Sequence, residues 1–235
     1  NKDEIDIHFM KLALQQAAAA ADQGEVPIGA VVVRKLIWGD FIHLNLSNQT
    51  ATIAIQEQQD SEQPAQVYVV LSVARNAVEA THDASAHAEL LALRSAAVNQ
   101  QPPNWRLNQQ QHSSSTTATS SSATATATST TTLYSTLEPC PMCLTAAQAF
   151  RVGSIVYGAN DDRLGAVDTH MRLLQDYQHP FHNITTVTAG VQAEESSEML
   201  RAFFRQRRLE AKQNKQLRKQ HEIQQQEQQQ QQVES

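Results

Sequence analysis

The stretch LYSTLEPCPMC, residues 133–143, joins a strand pattern to a helix pattern. Leu133–Leu137 predicts a short strand that ends beside Glu138. Either proline can open the helix that follows, because the fixed φ of proline suits the first helical turn. Cys140 and Cys143 are three positions apart and therefore share one face of that helix. A C-x-x-C pair of this kind binds a metal ion or serves as a redox couple.

A second motif, His87-Ala88-Glu89, lies upstream and favours the metal over the redox couple. One histidine and two cysteines form a ligand set that a tetrahedral zinc ion accepts. Three protein ligands leave a position for water, which is the arrangement of catalytic zinc sites. Glu89 is then the natural base for that water, rather than a ligand. The two motifs together predict a catalytic zinc site made by His87, Cys140 and Cys143.

The charge of the chain is unevenly distributed. The 235 residues suffice for one or two domains and carry a formal net charge of −6, which argues against a general nucleic-acid binder. The segment from Arg201 to Lys219 nevertheless holds eight Lys or Arg against one Glu, a local net charge of +7. A solvated helix face and a surface that contacts RNA phosphates are both compatible with that pattern.

Cysteine usage and hydropathy bear on the compartment. Both cysteines belong to the motif, so none is left for a disulfide framework, which is typical of a reducing compartment. No apolar run approaches the ~20 residues that span a bilayer, so we expect no membrane partner. The chain begins at Asn1 without an initiator Met or a targeting pattern, which indicates a trimmed chain. We expect a soluble, intracellular protein.

Hydrophobic periodicity predicts strands that alternate with helices. The predicted strands are Ile28–Val33, Val67–Val73, Leu133–Leu137, Ile155–Tyr157 and Thr185–Thr188. The predicted helices are 5–22, Ala84–Val98, Pro141–Phe150, 171–174 and one that begins near Glu194. The first strand is a continuous β-branched run, which indicates burial on both faces. Asp83 is predicted to cap the second helix, which would then carry His87 and Glu89 in its first turn.

Polar, low-complexity stretches interrupt this pattern. We interpret residues 34–66 and 108–132 as insertions, and residues 211–235 as a basic, then poly-Gln, disordered tail. The remainder predicts one domain within residues 1–210. Because its strands alternate with helices, the predicted fold class is α/β, a three-layer α/β/α sandwich with a mixed central sheet.

Several stretches resemble the bacterial and organellar tRNA-specific adenosine deaminases of the cytidine-deaminase-like superfamily. They are EVPIGAV at 25–31, HAE at 87–89, LYSTLEPCPMC at 133–143, VYGA at 156–159 and FFRQRR at 203–208. The zinc motif is shared with cytosine, cytidine and guanine deaminases, whereas the C-terminal FFRQRR is more discriminating. The resemblance implies zinc-dependent conversion of adenosine to inosine at the anticodon wobble position of tRNA. It also implies one zinc ion per chain and a homodimer, for which Leu144, Ala146 and Ala147 are candidate interface residues.

The resemblance also assigns roles to individual residues. His87, Cys140 and Cys143 match the zinc ligands, and Glu89 matches the residue that shuttles protons. Asn76 matches an asparagine that binds the flipped base, and Asp161 matches a loop aspartate near the substrate ribose. The side chains that match the helix facing RNA are Phe203, Phe204 and Arg207. Without the resemblance, Asn76 would be a turn residue, Asp161 a solvated carboxylate and the two Phe residues part of a core.

Some positions depart from the family pattern. Ala149 stands where many members carry His, Phe181 and His182 replace a common Gly-Met pair, and Asp168 replaces a usual Gly. These changes affect substrate contacts rather than the chemistry. The insertions are unlike bacterial members and suggest a eukaryotic enzyme of the cytoplasm or of a plastid or other organelle.

Three alternatives remain open at this stage. A free nucleobase deaminase, acting on guanine or cytosine, would use the same zinc site without a basic surface. A non-catalytic subunit would keep the fold and present RNA to a partner, although an intact Glu89 argues against it. A redox protein would use the C-x-x-C pair without zinc.

Overall fold

The computed structural model describes residues 2–37, 51–53, 66–99, 107, 131–177, 179 and 182–233. The chain forms two compact units, residues 1–197 and residues 198–235. In chain order the elements are α1 (Lys2–Ala21), β1 (Gly29–Ile37), β2 (Ala51–Ile53), β3 (Gln66–Arg75), α2 (Val78–Thr81), α3 (Ala88–Asn99), β4 (Thr131–Leu137), α4 (Pro141–Ala149), β5 (Ser154–Ala159), α5 (Leu173–Asp176), β6 (Thr186–Thr188) and α6 (Ala193–Val233).

The central sheet is mixed, with the strand order β2-β3-β1-β4-β5-β6. β1 pairs antiparallel with both β3 and β4, and β2 pairs antiparallel with β3. β4, β5 and β6 run parallel to one another. Parallel neighbours need a crossover connection, and α4 and α5 lie in the connections between them. This arrangement confirms the predicted mixed sheet.

Helices cover both faces of the sheet and complete three layers. On one face, Phe9 and Met10 of α1 pack in a buried cluster with Val31 and Val33 of β1. On the other face, the helices α3 and α4 share a larger buried cluster with Val32. Alternate side chains of β1 therefore enter opposite cores, as its β-branched run predicted, and the three-layer α/β/α class is confirmed.

A glycine permits the close approach of α1 to the sheet. A Cβ atom at Gly29, the first residue of β1, would collide with the backbone of Ala13 and Ala17 in α1. A helix can approach a strand this closely only where the strand carries no side chain. α1 therefore packs closely against β1, the strand whose side chains enter both cores.

The structure departs from the sequence prediction at the second helix. α3 begins at Ala88 rather than near Ala84, so His87 precedes the helix. Asp83 does not cap α3: its Oδ1 accepts hydrogen bonds from the backbone nitrogen and the hydroxyl of Ser85. An aspartate that bonds the backbone two residues onward forms a turn in place of a helix start, and here that local bond prevails.

The described residues include only part of the predicted low-complexity segments. Most of the predicted insertions, at 38–50, 54–65 and 108–130, lies outside the described residues, although β2 falls within the first of them. α6 continues to Val233, where a disordered tail was predicted from residue 211. The helical backbone there has a local cause, because the segment lacks Gly and Pro and is rich in the good helix formers Gln, Glu, Lys and Arg.

Candidate metal centre

Two helix starts bring the predicted metal ligands together. His87 directly precedes α3, Cys140 is the residue before α4, and Cys143 lies in the first turn of α4. Cys140 has an extended backbone, with φ −70° and ψ 170°, and Pro141 then opens the helix as the sequence predicted. The two helices lie on the same face of the sheet and share one core, so the ligands of α3 and α4 converge.

The three ligand atoms have the spacing of a tetrahedral zinc site. Nδ1 of His87 lies 3.6 Å from Sγ of Cys140 and 3.6 Å from Sγ of Cys143. Zinc–sulfur bonds of about 2.3 Å and a zinc–nitrogen bond of about 2.0 Å at tetrahedral angles require ligand edges of roughly 3.5 Å. All three atoms lie within 4.8 Å of one another. The residues present therefore fit zinc, and they leave one coordination position for a further ligand.

The protonation of the thiols also suits a cation. A hydrogen bond from Cys143 lowers the pKa of Cys140 to about 4, assisted by the bond with His87 and opposed by burial. The same hydrogen bond, with burial, raises the pKa of Cys143. The hydrogen bond with Cys140 likewise raises the pKa of His87. The thiolate form of Cys140 is the form that binds a metal ion, and metal binding would release the proton of Cys143.

Glu89 lies beside the ligands without being one of them. Its side chain is 3% exposed, and its Oε2 atom is buried without a hydrogen-bond partner. Burial raises the pKa of this carboxyl. A buried carboxylate oxygen without a partner costs free energy unless a bound molecule donates a hydrogen bond to it. The atom therefore indicates where a water or a substrate group binds.

Asn76 follows β3 and is tied to the segment that carries His87. Its backbone nitrogen donates to the carbonyl of Ile28, and the next residue donates from its nitrogen to Ala86, the neighbour of His87. The side chain is 4% exposed, and its Nδ2 donates to Oε2 of Glu25 at 3.0 Å. The predicted base-binding residue thus belongs to the same end of the sheet as the ligands.

Asp161 lies on a loop that Glu138 holds in place. We call residues 161–169 the anchored loop. The Glu138 carboxylate, 1% exposed, accepts hydrogen bonds from loop donors at 2.5 to 3.1 Å. Those donors are the backbone nitrogens of Asp161, Val167, Asp168 and Thr169 and the hydroxyl of Thr169. The carbonyl of Pro139 also accepts from Ala166, so the loop is fastened beside Cys140.

The Asp161 side chain is itself engaged within the anchored loop. Its Oδ1 accepts from the backbone nitrogens of Arg163 and Leu164 at 3.0 and 3.2 Å. Gly165 completes the turn, since a Cβ atom there would collide with Glu138 and Thr169. The carboxylate predicted to lie near a ribose therefore also shapes its own loop.

The other predicted RNA contacts belong to the second unit. Phe203 and Phe204 of α6 pack edge to face with ring centroids 5.4 Å apart, and the Arg207 guanidinium lies 5.8 Å from the Phe203 ring. Phe204 is 37% exposed. Every side chain described from Phe204 to Gln226 is exposed, including the basic ones. These residues form one aromatic and basic surface on α6.

Two of the positions that depart from the family pattern, Asp168 and His182, make polar contacts within the chain. Asp168 accepts a hydrogen bond from the Tyr157 hydroxyl at 2.8 Å, and His182 contacts the carbonyl of Val152 at 2.6 Å. Ala149 is the last residue of α4, whereas Phe181 lies outside the described residues.

Sequence reasoning missed two buried carboxylates that hold segments of the candidate site, Glu25 and Glu138. Both lie within the stretches quoted above, EVPIGAV and LYSTLEPCPMC. The available signal was an acidic residue directly beside apolar strand residues, since a buried charge requires partners. The partners are distant in sequence: Asn76 lies 51 residues from Glu25, and Thr169 lies 31 residues from Glu138. No local pattern could therefore identify them.

Comparison with known proteins agrees with this geometry. The family model of the cytidine and deoxycytidylate deaminase zinc-binding region matches residues 3–159. The tRNA-specific adenosine deaminase of Haemophilus influenzae is 31% identical, over 93% of this chain and 94% of that protein. The tRNA-specific adenosine deaminase of Bacillus subtilis is 33% identical, over 90% of this chain and 94% of that protein. A structure solved in a study of A-to-I editing by tRNA:A34 deaminases at the wobble position of transfer RNA gives a TM-score of 0.54 at 28% identity, covering 82% of this chain and 98% of that one.

Proposed function

We propose that this chain, which belongs to the family of zinc-binding cytidine and deoxycytidylate deaminases, converts adenosine to inosine in tRNA. The observation that supports this proposal is the cluster of His87, Cys140 and Cys143 beside Glu89, whose Oε2 has no hydrogen-bond partner. The three residues of the cluster can bind a metal ion and leave one coordination position for a further ligand. Glu89 can act as the base. Relatives named tRNA-specific adenosine deaminase, matched over most of both chains, support tRNA as the substrate class.

The chemistry assigned to this chain centres on Glu89. When bound, zinc supplies Lewis acidity that lowers the pKa of a coordinated water to ~7. Oε2 of Glu89 takes a proton from the attacking water and delivers it to N1 of the adenine ring; it then takes the proton of the new C6 hydroxyl and passes it to the departing amino group. The water oxygen is added at C6 and ammonia leaves, so adenosine and water become inosine and ammonia. Burial of Glu89 suits this work, because a raised pKa brings the carboxyl nearer to neutral pH.

We assign Asn76 and Asp161 to the substrate nucleoside. Asn76 binds the flipped base and Asp161 binds near the ribose, an assignment supported by their attachment to the segments that carry His87 and Cys140. A base must leave its stack to reach such a site, and an unpaired anticodon base does so at little cost. The wobble adenosine of the anticodon stem-loop is therefore the proposed target.

The aromatic and basic surface of α6 supplies the proposed RNA contact. Arg207, Arg205 and their cationic neighbours are exposed, and phosphate contacts set affinity without reading sequence. Phe204 is partly exposed and offers a face on which a base can stack. We assign residues 1–210 to the deaminase domain, and we regard the cytoplasm and a plastid or other organelle as alternative compartments. No described helix is both long and apolar enough to cross a membrane.

The homodimer also remains a proposal, and its predicted interface requires correction. Leu144 and Ala147 are fully buried in the core of the chain, and Ala146 packs against that core. Leu144 and Ala147 are therefore not accessible to a partner, whereas Ala146 is only partly buried.

One assay separates the proposed function from its closest rival. The purified protein is incubated with total tRNA, which is then sequenced for adenosine-to-inosine conversion, while ammonia release is measured with free adenine, guanine and cytosine. We expect inosine at the wobble position of tRNA and no ammonia from the bases. Glu89→Gln serves as the matched control, since it keeps the shape of the side chain and removes the base. Ammonia from a free base without tRNA conversion would support the nucleobase deaminase. Zinc content with no activity on any substrate would support the non-catalytic subunit.

A further inference from the structure

Glu25 is a buried carboxylate that the chemistry above does not use. It lies between α1 and β1, and its side chain is 1% exposed. Oε2 accepts a hydrogen bond from Nδ2 of Asn76 at 3.0 Å, and Oε1 accepts one from the backbone nitrogen of Ala80 in α2 at 2.7 Å. Each oxygen therefore accepts one hydrogen bond, Oε2 from the side chain of Asn76 and Oε1 from a backbone nitrogen of α2.

The chemistry of Glu25 determines which way the Asn76 amide faces. An ionised carboxylate can only accept hydrogen bonds, whereas a primary amide has a donor end and an acceptor end. The nitrogen of Asn76 must therefore face Glu25, and its oxygen is directed elsewhere. The backbone leaves little freedom to change this, because Asn76 is bonded to Ile28 and Ala77 to Ala86.

We propose that Glu25 is a positioning residue that fixes the amide orientation of Asn76 for the substrate base. It touches no reacting atom and acts through Asn76. The inference rests on the proposed function in one respect, the assignment of Asn76 to the base. It explains why a carboxylate is buried at this position, where an uncharged residue would avoid the desolvation cost.

A glutamine at position 25 would keep the size of the side chain and reverse one contact. With Oε1 still bonded to Ala80, the new amide nitrogen would meet the amide nitrogen of Asn76, and two donors cannot pair. Either the Asn76 amide turns over, or the new side chain turns and leaves the nitrogen of Ala80 without a partner. Glu25→Gln therefore tests the orientation with almost no change in volume.

The experiment is a double-mutant cycle with Glu25→Gln, Asn76→Ala and the combined variant. Turnover of tRNA is measured as kcat and KM, alongside zinc content and thermal denaturation. We expect each single variant to lower kcat/KM roughly ten- to hundredfold with zinc retained. The combined variant should be no worse than Asn76→Ala alone, because a residue that acts through Asn76 has no effect once the amide is removed.

Asp6→Asn is the matched control for the loss of a buried carboxylate. Asp6 is 4% exposed and accepts a hydrogen bond from the Tyr134 hydroxyl at 2.9 Å, in the core on the α1 face of the sheet. This variant should change the melting temperature but leave kcat/KM at its parental value. A multiplicative loss in the combined Glu25 and Asn76 variant would show two independent effects and overturn the inference.

A second readout requires no substrate. The side-chain NH2 group of Asn76, hydrogen-bonded to a buried carboxylate, should give an amide proton that is slow to exchange in NMR spectra. Glu25→Gln should abolish that protection or, where the new side chain turns, expose the backbone amide of Ala80 to exchange; unchanged protection of both groups would overturn the inference whatever the activity. If Asn76→Ala costs activity and neither Glu25→Gln nor Glu25→Ala does, the inference fails alone. If Asn76→Ala is silent, the assignment of Asn76 within the proposed function fails and the inference fails with it.

Discussion

Sγ of Cys143 lies 3.6 Å from Nδ1 of His87, although the two residues are 56 positions apart. The contact joins the start of α4 to the residue before α3, and the third ligand, Cys140, lies at the same distance from His87. The site is therefore made by two helix starts that share one core, so its geometry depends on the fold rather than on either motif alone.

The first prediction concerns the metal. Cys143→Ala should lose the zinc ion, because two remaining ligands bind zinc far more weakly than three. Metal analysis of the purified parent should give about one zinc per chain, as the resemblance implies. Glu89→Gln should keep the full zinc content, since Glu89 lies outside the ligand cluster. Parental zinc content in Cys143→Ala would exclude the assigned cluster.

The second prediction concerns Glu138. Glu138→Gln replaces one acceptor oxygen with an amide donor, so part of the anchored loop loses its partner. Each buried donor left unsatisfied costs about 1–3 kcal/mol, and denaturant titration should show a loss of that size in the free energy of unfolding. Hydrogen exchange should accelerate either at the backbone nitrogen of Asp161, which bonds Oε2, or at those of Val167, Asp168 and Thr169, which bond Oε1, and it should stay unchanged within β1. Parental exchange rates at all four nitrogens would show that Glu138 does not hold the loop.

The ligands and the two buried carboxylates differ in how far the sequence could predict them. His87, Cys140 and Cys143 were predictable because metal ligands follow spacing rules that are local to each motif. Glu25 and Glu138 were not, because the donors that hold them lie in other elements and become neighbours only after folding.

The elements show the same contrast between local and tertiary signals. The β-branched run of β1 correctly predicted burial on both faces, since that pattern reports packing directly. The predicted start of α3 was wrong, because the Asp83 side chain forms a local turn with Ser85 instead of capping the helix. α6 continues to Val233, beyond the predicted start of a disordered tail at residue 211, because helix propensity acts without tertiary packing.

The third prediction concerns the segment between Leu107 and Thr131. The Thr131 hydroxyl donates to the carbonyl of Leu107 at 2.7 Å, so the two ends of the predicted insertion lie together. Residues 109–129 can then be replaced by a short Gly-Ser turn, and the melting temperature should change little, because loop-closure free energy varies slowly with length. A matched deletion that also removes Thr131, which is buried, should lower the melting temperature clearly. A large loss on the shorter deletion would show that the removed segment packs on the domain.

The fourth prediction concerns stability at alkaline pH. Burial, together with Asp6, raises the pKa of Tyr134 above its ordinary value of 10.0. The unfolded chain loses this proton near pH 10 while the folded chain keeps it, so the contribution is complete below that pH and declines as pH rises. The decline is about 1.4 kcal/mol per pH unit for one group. Tyr134→Phe should unfold with a weaker dependence on pH between 10 and 12, and an identical dependence would exclude this role for Tyr134.

The last prediction concerns the basic surface of α6, which reconciles an acidic chain with an RNA substrate. Arg205, Arg207 and Arg208 are exposed, so their replacement by Ala should leave zinc content and melting temperature unchanged. Each phosphate contact removed should reduce the slope of log affinity against log salt by roughly 0.7 to 0.9, so three contacts amount to roughly 2 to 3. Binding of tRNA should therefore weaken strongly at low salt and depend less on salt. The corresponding triple Lys variant keeps the charges and should keep most of the slope, since a phosphate accepts a point charge. Equal salt slopes for the parent and the Ala variant would show that this face of α6 is merely solvated, and the RNA contact would then have to lie elsewhere.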